Sequence, residues 1–188
     1  MKRAVFIHGW YGHPTDGWWP WLKTSLEERG FNVLSPQLPH EDKPQAKEWV
    51  EAIRRIVGTP DNELLLIGHS LGCITILKYL STLKDGEQIK GSVLVAGFTE
   101  DLNFDGYDGS LANFFEEPID WNKVCRHCPS SWVISSDNDP TVSKENHDRL
   151  LKLLGAQGIW EHGKLHMTGD DGIFELPSTL EVVNSLER

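Results

Sequence analysis

Cysteine is scarce in this chain, with three thiols among 188 residues. So few, and an odd number, cannot make a disulfide framework, and this usage suits a reducing compartment. A chain of this length buries roughly 70% of its unfolded surface, so its core needs no covalent or metal staple. Basic residues are also short: 18 Lys and Arg stand against 28 Asp and Glu, a formal charge of −10. Nucleic acid and anionic membranes both require a basic face, so neither is expected as a partner. Long apolar runs are missing. Met1-Lys2-Arg3 is followed only by Ala4-Val5-Phe6-Ile7 before His8-Gly9. That is too short for the core of a secretory signal, and no stretch approaches the ~18 residues of a membrane span. A soluble cytoplasmic protein is expected. No Walker or dinucleotide-type glycine run is present, so no nucleotide cofactor is expected. Cys125-Arg126-His127-Cys128 has metal-like spacing but lacks the second pair that a four-ligand site needs, and no metal is expected.

Short apolar runs alternate with helix-length stretches. The runs are Ala4–Ile7, Phe31–Leu34, Leu64–Ile67, Ser92–Ala96, Ser131–Ser135 and, weakest, Gly158–Glu161. Continuous apolarity over four or five residues suits strands covered on both faces. Between them the pattern predicts helices at Trp18–Arg29 (with Asp16 as a candidate cap), Pro44–Val57, Leu71–Leu83, Val142–Leu154 and Pro177–Leu186. Strand–helix alternation of this kind predicts one α/β domain over residues 1–188, a three-layer sandwich with a mainly parallel sheet of about six strands and helices on both faces. Residues 98–127 form the one long irregular stretch, expected as a lid or pocket wall.

Gly68-His69-Ser70-Leu71-Gly72 is a G-x-S-x-G run, with an apolar strand directly before it and an apolar helix directly after it. A serine on such a turn exposes its hydroxyl at the C-terminal edge of the sheet, in strained backbone. Glycine is expected at 68 and 72 because a Cβ there would strike opposing backbone. A serine hydroxyl needs a base, and the base needs an orienting group. Where a nucleophile sits on this kind of elbow, the acid and then the histidine follow in chain order. Ser136-Asp137-Asn138-Asp139-Pro140 follows the fifth run and offers two carboxylates. Asp139, further out on the loop, is the preferred acid, with Asp137 in reserve. Of the eight histidines, only His162 and His166 follow the last strand. His166 lies on the loop before the final helix, where it can reach across the sheet edge; His162 sits at the strand end and reads as a surface residue. Two backbone donors are expected for an oxyanion: the N–H of Leu71 and that of Trp10, in His8-Gly9-Trp10-Tyr11-Gly12 after the first strand. Trp18, Trp19 and Trp21 are candidates either for an acyl pocket or for helix packing.

With these residues in view, the chain resembles an α/β hydrolase, and within that fold the compact serine hydrolases related to retinoblastoma-binding protein nine. The resemblance spans nearly the whole chain. It rests on the strand-plus-His-Gly start, Gly17-Trp18-Trp19-Pro20-Trp21, Ile67-Gly68-His69-Ser70, the Ser136–Pro140 loop and the late His166. It implies a sheet lacking the two leading strands of larger hydrolases, and a triad of Ser70, Asp139 and His166. The retinoblastoma-type partner is not supported: the nearest match to L-x-C-x-E is Leu71-Gly72-Cys73-Ile74-Thr75, with Thr75 in place of the acid. The expected activity is hydrolysis of a carboxylic ester, thioester or amide on a small acyl substrate. The alternatives are a protein-binding scaffold with a dormant triad and a cofactor-free lyase on the same site.

Overall fold

The structure, a computed structural model, describes residues 1–102 and 107–187. Six strands are present: β1 (Arg3–Ile7), β2 (Asn32–Leu34), β3 (Leu64–His69), β4 (Gly91–Val95), β5 (Ser131–Ser136) and β6 (Gln157–Glu161). They form one sheet in the order β2-β1-β3-β4-β5-β6, and every pairing is parallel. The helices are α1 (Trp19–Glu27), α2 (Ala46–Val57), α3 (Leu71–Ser81), α4 (Trp121–His127), α5 (Lys144–Leu154) and α6 (Pro177–Leu186).

Parallel strands need crossovers, and crossover helices cover both faces of the sheet; the apolar runs follow from that. In β1, Val5 and Ile7 join one core with Trp49, Ile53 and α3, while Ala4 and Phe6 join the other with Trp19, Leu22 and Val183. α2 shows how helical spacing builds the first core. Ala46, Trp49, Ile53 and Val57 are its buried residues and lie on one stripe, and Gly58 ends it at φ 62°, donating its N–H to Arg54 O. α3 is buried nearly all round, from Leu71 through Leu77 and again at Tyr79 and Leu80.

Two sequence expectations are corrected. The 98–127 stretch is not irregular throughout: it contains a short 3-10 turn, Ala112–Phe114, and the helix α4. The Asp120 carboxylate caps α4 by accepting the Lys123 N–H, which seven residues of weak periodicity do not announce. Asp16 does not cap α1 with its side chain. Its carboxylate accepts the His13 N–H, and its carbonyl takes the N–H of Trp19. Asn103–Gly106 of the expected lid lie outside the described residues.

β1 leads to β2 on one side, and the chain then crosses to β3 on the other side of β1. Such a switch point leaves a crevice beyond the carboxyl ends of the two central strands, where open α/β sheets bind ligands. The loop after β1 and the turn after β3 meet there.

Candidate active site

Ser70 sits between β3 and α3 at φ 52° and ψ −119°, a region that L-residues rarely occupy. Its N–H donates to Val95 O and its carbonyl accepts from Cys73, so the turn is held from both sides. The flanking glycines are required by contact. A Cβ at Gly72 would lie 2.1 Å from Ile7 O, inside any allowed approach, and one at Gly68 would lie 3.0 Å from Cys73 N and 2.7 Å from Ile76 Cδ1. Gly9 is also tightly placed: a Cβ there would come within 3.1 Å of Ser70 Cβ. The loop after β1 is therefore seated directly against the serine.

His166 reaches this serine from the loop after β6. Its Nε2 lies 3.0 Å from Ser70 Oγ and its Nδ1 lies 2.8 Å from Asp139 Oδ2. A carboxylate can only accept, so Nδ1 carries the proton and Nε2 is left as the acceptor for the serine hydroxyl. The Asp139 side chain is only 3% exposed. Its second oxygen takes the N–H groups of Thr141 and Val142 at 2.8 and 2.9 Å, fixing the carboxylate just ahead of α5. The structure thus brings together Ser70, Asp139 and His166. The reserve pair lies apart: Asp137 is 47% and His162 84% exposed, and they contact each other at 2.7 Å. The Asp137 carboxyl is held below its ordinary range, first by the Gly163 N–H and then by His162.

The two candidate oxyanion donors lie on the loop seated against Ser70 and at the start of α3 directly after it. Leu71 is the first residue of α3, so its N–H has no acceptor within its own helix. The Trp10 N–H finds no acceptor among the described residues, while its loop is pinned by Tyr11 N–H to Glu41 O and Trp10 Nε1–H to Asp42 O. His8 anchors the start of that loop. Leu38 N–H donates to its Nε2, so its Nδ1–H donates to Gly9 O, and burial keeps its pKa low.

Sequence reasoning set His69 aside for its place in the chain order, yet it belongs to the site. Its Nε2–H donates to His166 O at 2.8 Å, and its ring meets those of His166 and Trp18 edge-on. Burial pushes its pKa down to about 3, so the ring is neutral. Only the fold, which returns the late histidine over residue 69, could have revealed this.

A cavity of about 470 Å³ opens at Ser70. Trp10, Tyr11, His13, Asp16, Asp170 and Phe174 line it, and none of the described lysines or arginines does. Trp18 and Trp19 form its inner wall but are also buried packing residues, with Trp18 Nε1–H donating to Met167 O. None of the described residues of 98–127 lines this cavity. That stretch instead lies along α2 and α3, where Asn113 Oδ1 accepts the Ala46 N–H and Lys78 Nζ donates to Glu117 O. Among the described residues of that stretch, Tyr107 meets Trp10 of the site loop edge-on.

Cys73 and Cys128 are buried in the core and Cys125 is half-buried. Cys73 donates to Val95 O, and Cys125 and Cys128 contact different partners, Leu153 O and the Ser92–Ser131 hydroxyls. Among the described residues no three His, Cys, Asp or Glu side chains gather as a metal cluster. Among the described residues no helix is long and apolar enough to cross a membrane.

A serine hydrolase family model matches residues 4–185. The chain is 29% identical to the "Putative hydrolase YdeN" of Bacillus subtilis, over 98% of this chain and 95% of that one. It is 27% identical to the "Serine hydrolase RBBP9" of Rattus norvegicus, over 98% of this chain and 95% of that one. The crystal structure of the B. subtilis ydeN product superposes with a TM-score of 0.90 at 26% identity, covering 99% of this chain and 98% of that one. A family match over nearly the whole length, on this six-stranded parallel sheet, places the chain in the serine hydrolase family, with the α/β-hydrolase fold.

Proposed function

We propose that this protein cleaves a carboxylic ester, or a related thioester or amide, through an acyl-enzyme on Ser70. The observation that carries the reading is the unbroken chain from Ser70 Oγ to His166 Nε2 and from His166 Nδ1 to Asp139. His166 takes the hydroxyl proton as Ser70 Oγ attacks the acyl carbon. Asp139 holds the imidazole in the required tautomer and stabilises the imidazolium. The Trp10 and Leu71 N–H groups receive the negative charge that develops on the carbonyl oxygen. His166 then gives its proton to the leaving alcohol. Water attacks the acyl-serine with His166 again as base, and Ser70 is regenerated.

The cavity suits a small substrate, since about 470 Å³ falls in the usual range for such sites. Carboxylates at Asp16 and Asp170, with no lysine or arginine among the described lining residues, favour neutral or cationic acyl groups over anionic ones. A serine-directed fluorophosphonate, followed by turnover of nitrophenyl esters from acetate to decanoate, tests the reading. Labelling and acyl release that both vanish in Ser70→Ala are expected. A folded protein that neither labels nor releases acyl groups at any chain length would refute the assignment in favour of a binding scaffold.

A further inference from the structure

The backbone that carries His166 is unusual. Leu165 and Met167, the residues on either side, both have positive φ, 51° and 57°. Left-handed backbone crowds the Cβ of any L-residue, and a branched side chain such as leucine is rare there. Two such residues flanking one histidine persist only if the surroundings hold them.

Leu165 is held from the loop after β5. Strands β5 and β6 are parallel and end in register, with Ser136 opposite Glu161. Their loops therefore leave the sheet side by side, and the pairing continues past the strands through side chains. Ser136 Oγ accepts the Lys164 N–H at 3.0 Å, Asp137 Oδ1 accepts the Gly163 N–H at 2.9 Å, and Asn138 Oδ1 accepts the Leu165 N–H at 2.9 Å. Asp139 then takes the His166 ring itself. Four consecutive residues, Ser136 at the end of β5 and the three that follow it, thus grip the other loop from Gly163 to His166. Asn138 is the keystone: the same Oδ1 that binds Leu165 also accepts the Ser136 hydroxyl at 2.9 Å. On the far side, Met167 O and His166 O are taken by Trp18 and His69.

We infer that Asn138, supported by Ser136 and Asp137, is a positioning residue of the site, holding the strained 163–166 backbone in the form that delivers the His166 imidazole to Ser70. The inference rests on the hydrolase reading above and deepens it. Asn138 acts by clamping Leu165, so its contribution depends on the cost of left-handed backbone at that residue. Leu165 is solvent-exposed, so replacing it with glycine removes that cost with little loss of packing.

A double-mutant cycle on turnover tests this. Asn138→Ala is expected to lower kcat about tenfold, with KM within about twofold and the same loss in the fluorophosphonate labelling rate. In a Leu165→Gly background the same change is expected to cost less than about threefold, because glycine takes positive φ freely. Asn138→Asp keeps an acceptor oxygen and is expected to restore kcat on its pH plateau. A purely structural asparagine would lower the melting temperature and leave kcat and the coupling to residue 165 unmoved. Should Asn138→Ala fail to fold, Ser136→Ala, which frees the Lys164 N–H, carries the same expectation of a lower kcat at constant KM. Wild-type kcat in Asn138→Ala, or equal losses in both backgrounds, would overturn the positioning role alone. An unsubstituted protein that neither labels nor turns over would sink the hydrolase reading and the inference with it.

Discussion

Lowering the pH tests how deeply the site is buried. His69 lies against His166 and Trp18, and burial takes its pKa from 6.5 in water to about 3 in the folded protein. Unfolding returns it to water, where it binds a proton below pH 6.5. The unfolded state then holds more protons than the folded one, so stability falls as the pH drops through the window from 6.5 to 3. Each histidine of this kind gives a slope approaching about 1.4 kcal/mol per pH unit, and His69 alone should remove about 2 kcal/mol by pH 5. His8 and His147, also held low by burial, act with the same sign. Carboxylates such as Asp137, held low in the fold, contribute mainly below about pH 5, so the pH 5–6.5 interval belongs to the histidines. Urea unfolding at pH 7.5, 6.5, 5.5 and 5.0 gives the slope, and His69→Gln should flatten it by one histidine's share. Equal slopes in the two proteins would mean that His69 is protonated in the folded state, and the burial argument would be wrong.

Two further outcomes follow from the geometry. Asp139→Asn presents an amide N–H to His166 Nδ1 and forces the other tautomer; kcat should fall by about three orders of magnitude with KM little changed. Asp137→Asn should lose far less, and the opposite ranking in steady-state kinetics would move the acid to Asp137. Gly72→Ala places a methyl 2.1 Å from Ile7 O, and since backbone must move, at least about 3 kcal/mol of stability should go, together with most activity, as the loop carrying Trp10 separates from Ser70. Wild-type denaturation and turnover in that variant would show that the β1 loop is not seated where the structure puts it.

The sheet was legible because parallel strands covered on both faces have no polar side to hide them: Leu64–Ile67 and Ala4–Ile7 read as strands from composition alone. The serine turn was legible because its glycines answer to backbone contacts that admit nothing larger, and chain order then narrowed eight histidines to two. Other features were hidden because they depend on which loops become neighbours. Nothing local to Asn113 says that it caps the first amide of α2, yet that bond helps draw the 107–120 stretch over α2 and α3 and away from the cavity at Ser70. Helix α4 is too short for periodicity to register, and its cap, Asp120, looks like any loop aspartate. His69 reads as the variable position of a motif until the fold brings His166 O to its ring.

The distribution of strain ties these observations together. Among the described residues, the non-glycine positions at positive φ include Tyr11, Ser70, Ala96, Leu165 and Met167, which follow β1, β3, β4 and β6 at the carboxyl edge of the sheet. Each costs about 1–2 kcal/mol relative to ordinary backbone, which a fold selected for stability alone would avoid. Four of the five have a bond from their own N–H that offsets the cost and comes from structure remote in sequence or from a neighbouring strand: Tyr11 to Glu41, Ser70 to Val95, Ala96 to Ile134 and Leu165 to Asn138. The serine turn and the histidine loop are therefore held by their neighbours rather than by their own propensities. Three of those acceptors are backbone carbonyls and only Asn138 Oδ1 belongs to a side chain, so substituting Asn138 should disturb the Ser70–His166 contact before it disturbs the core, because the strained residues relax first.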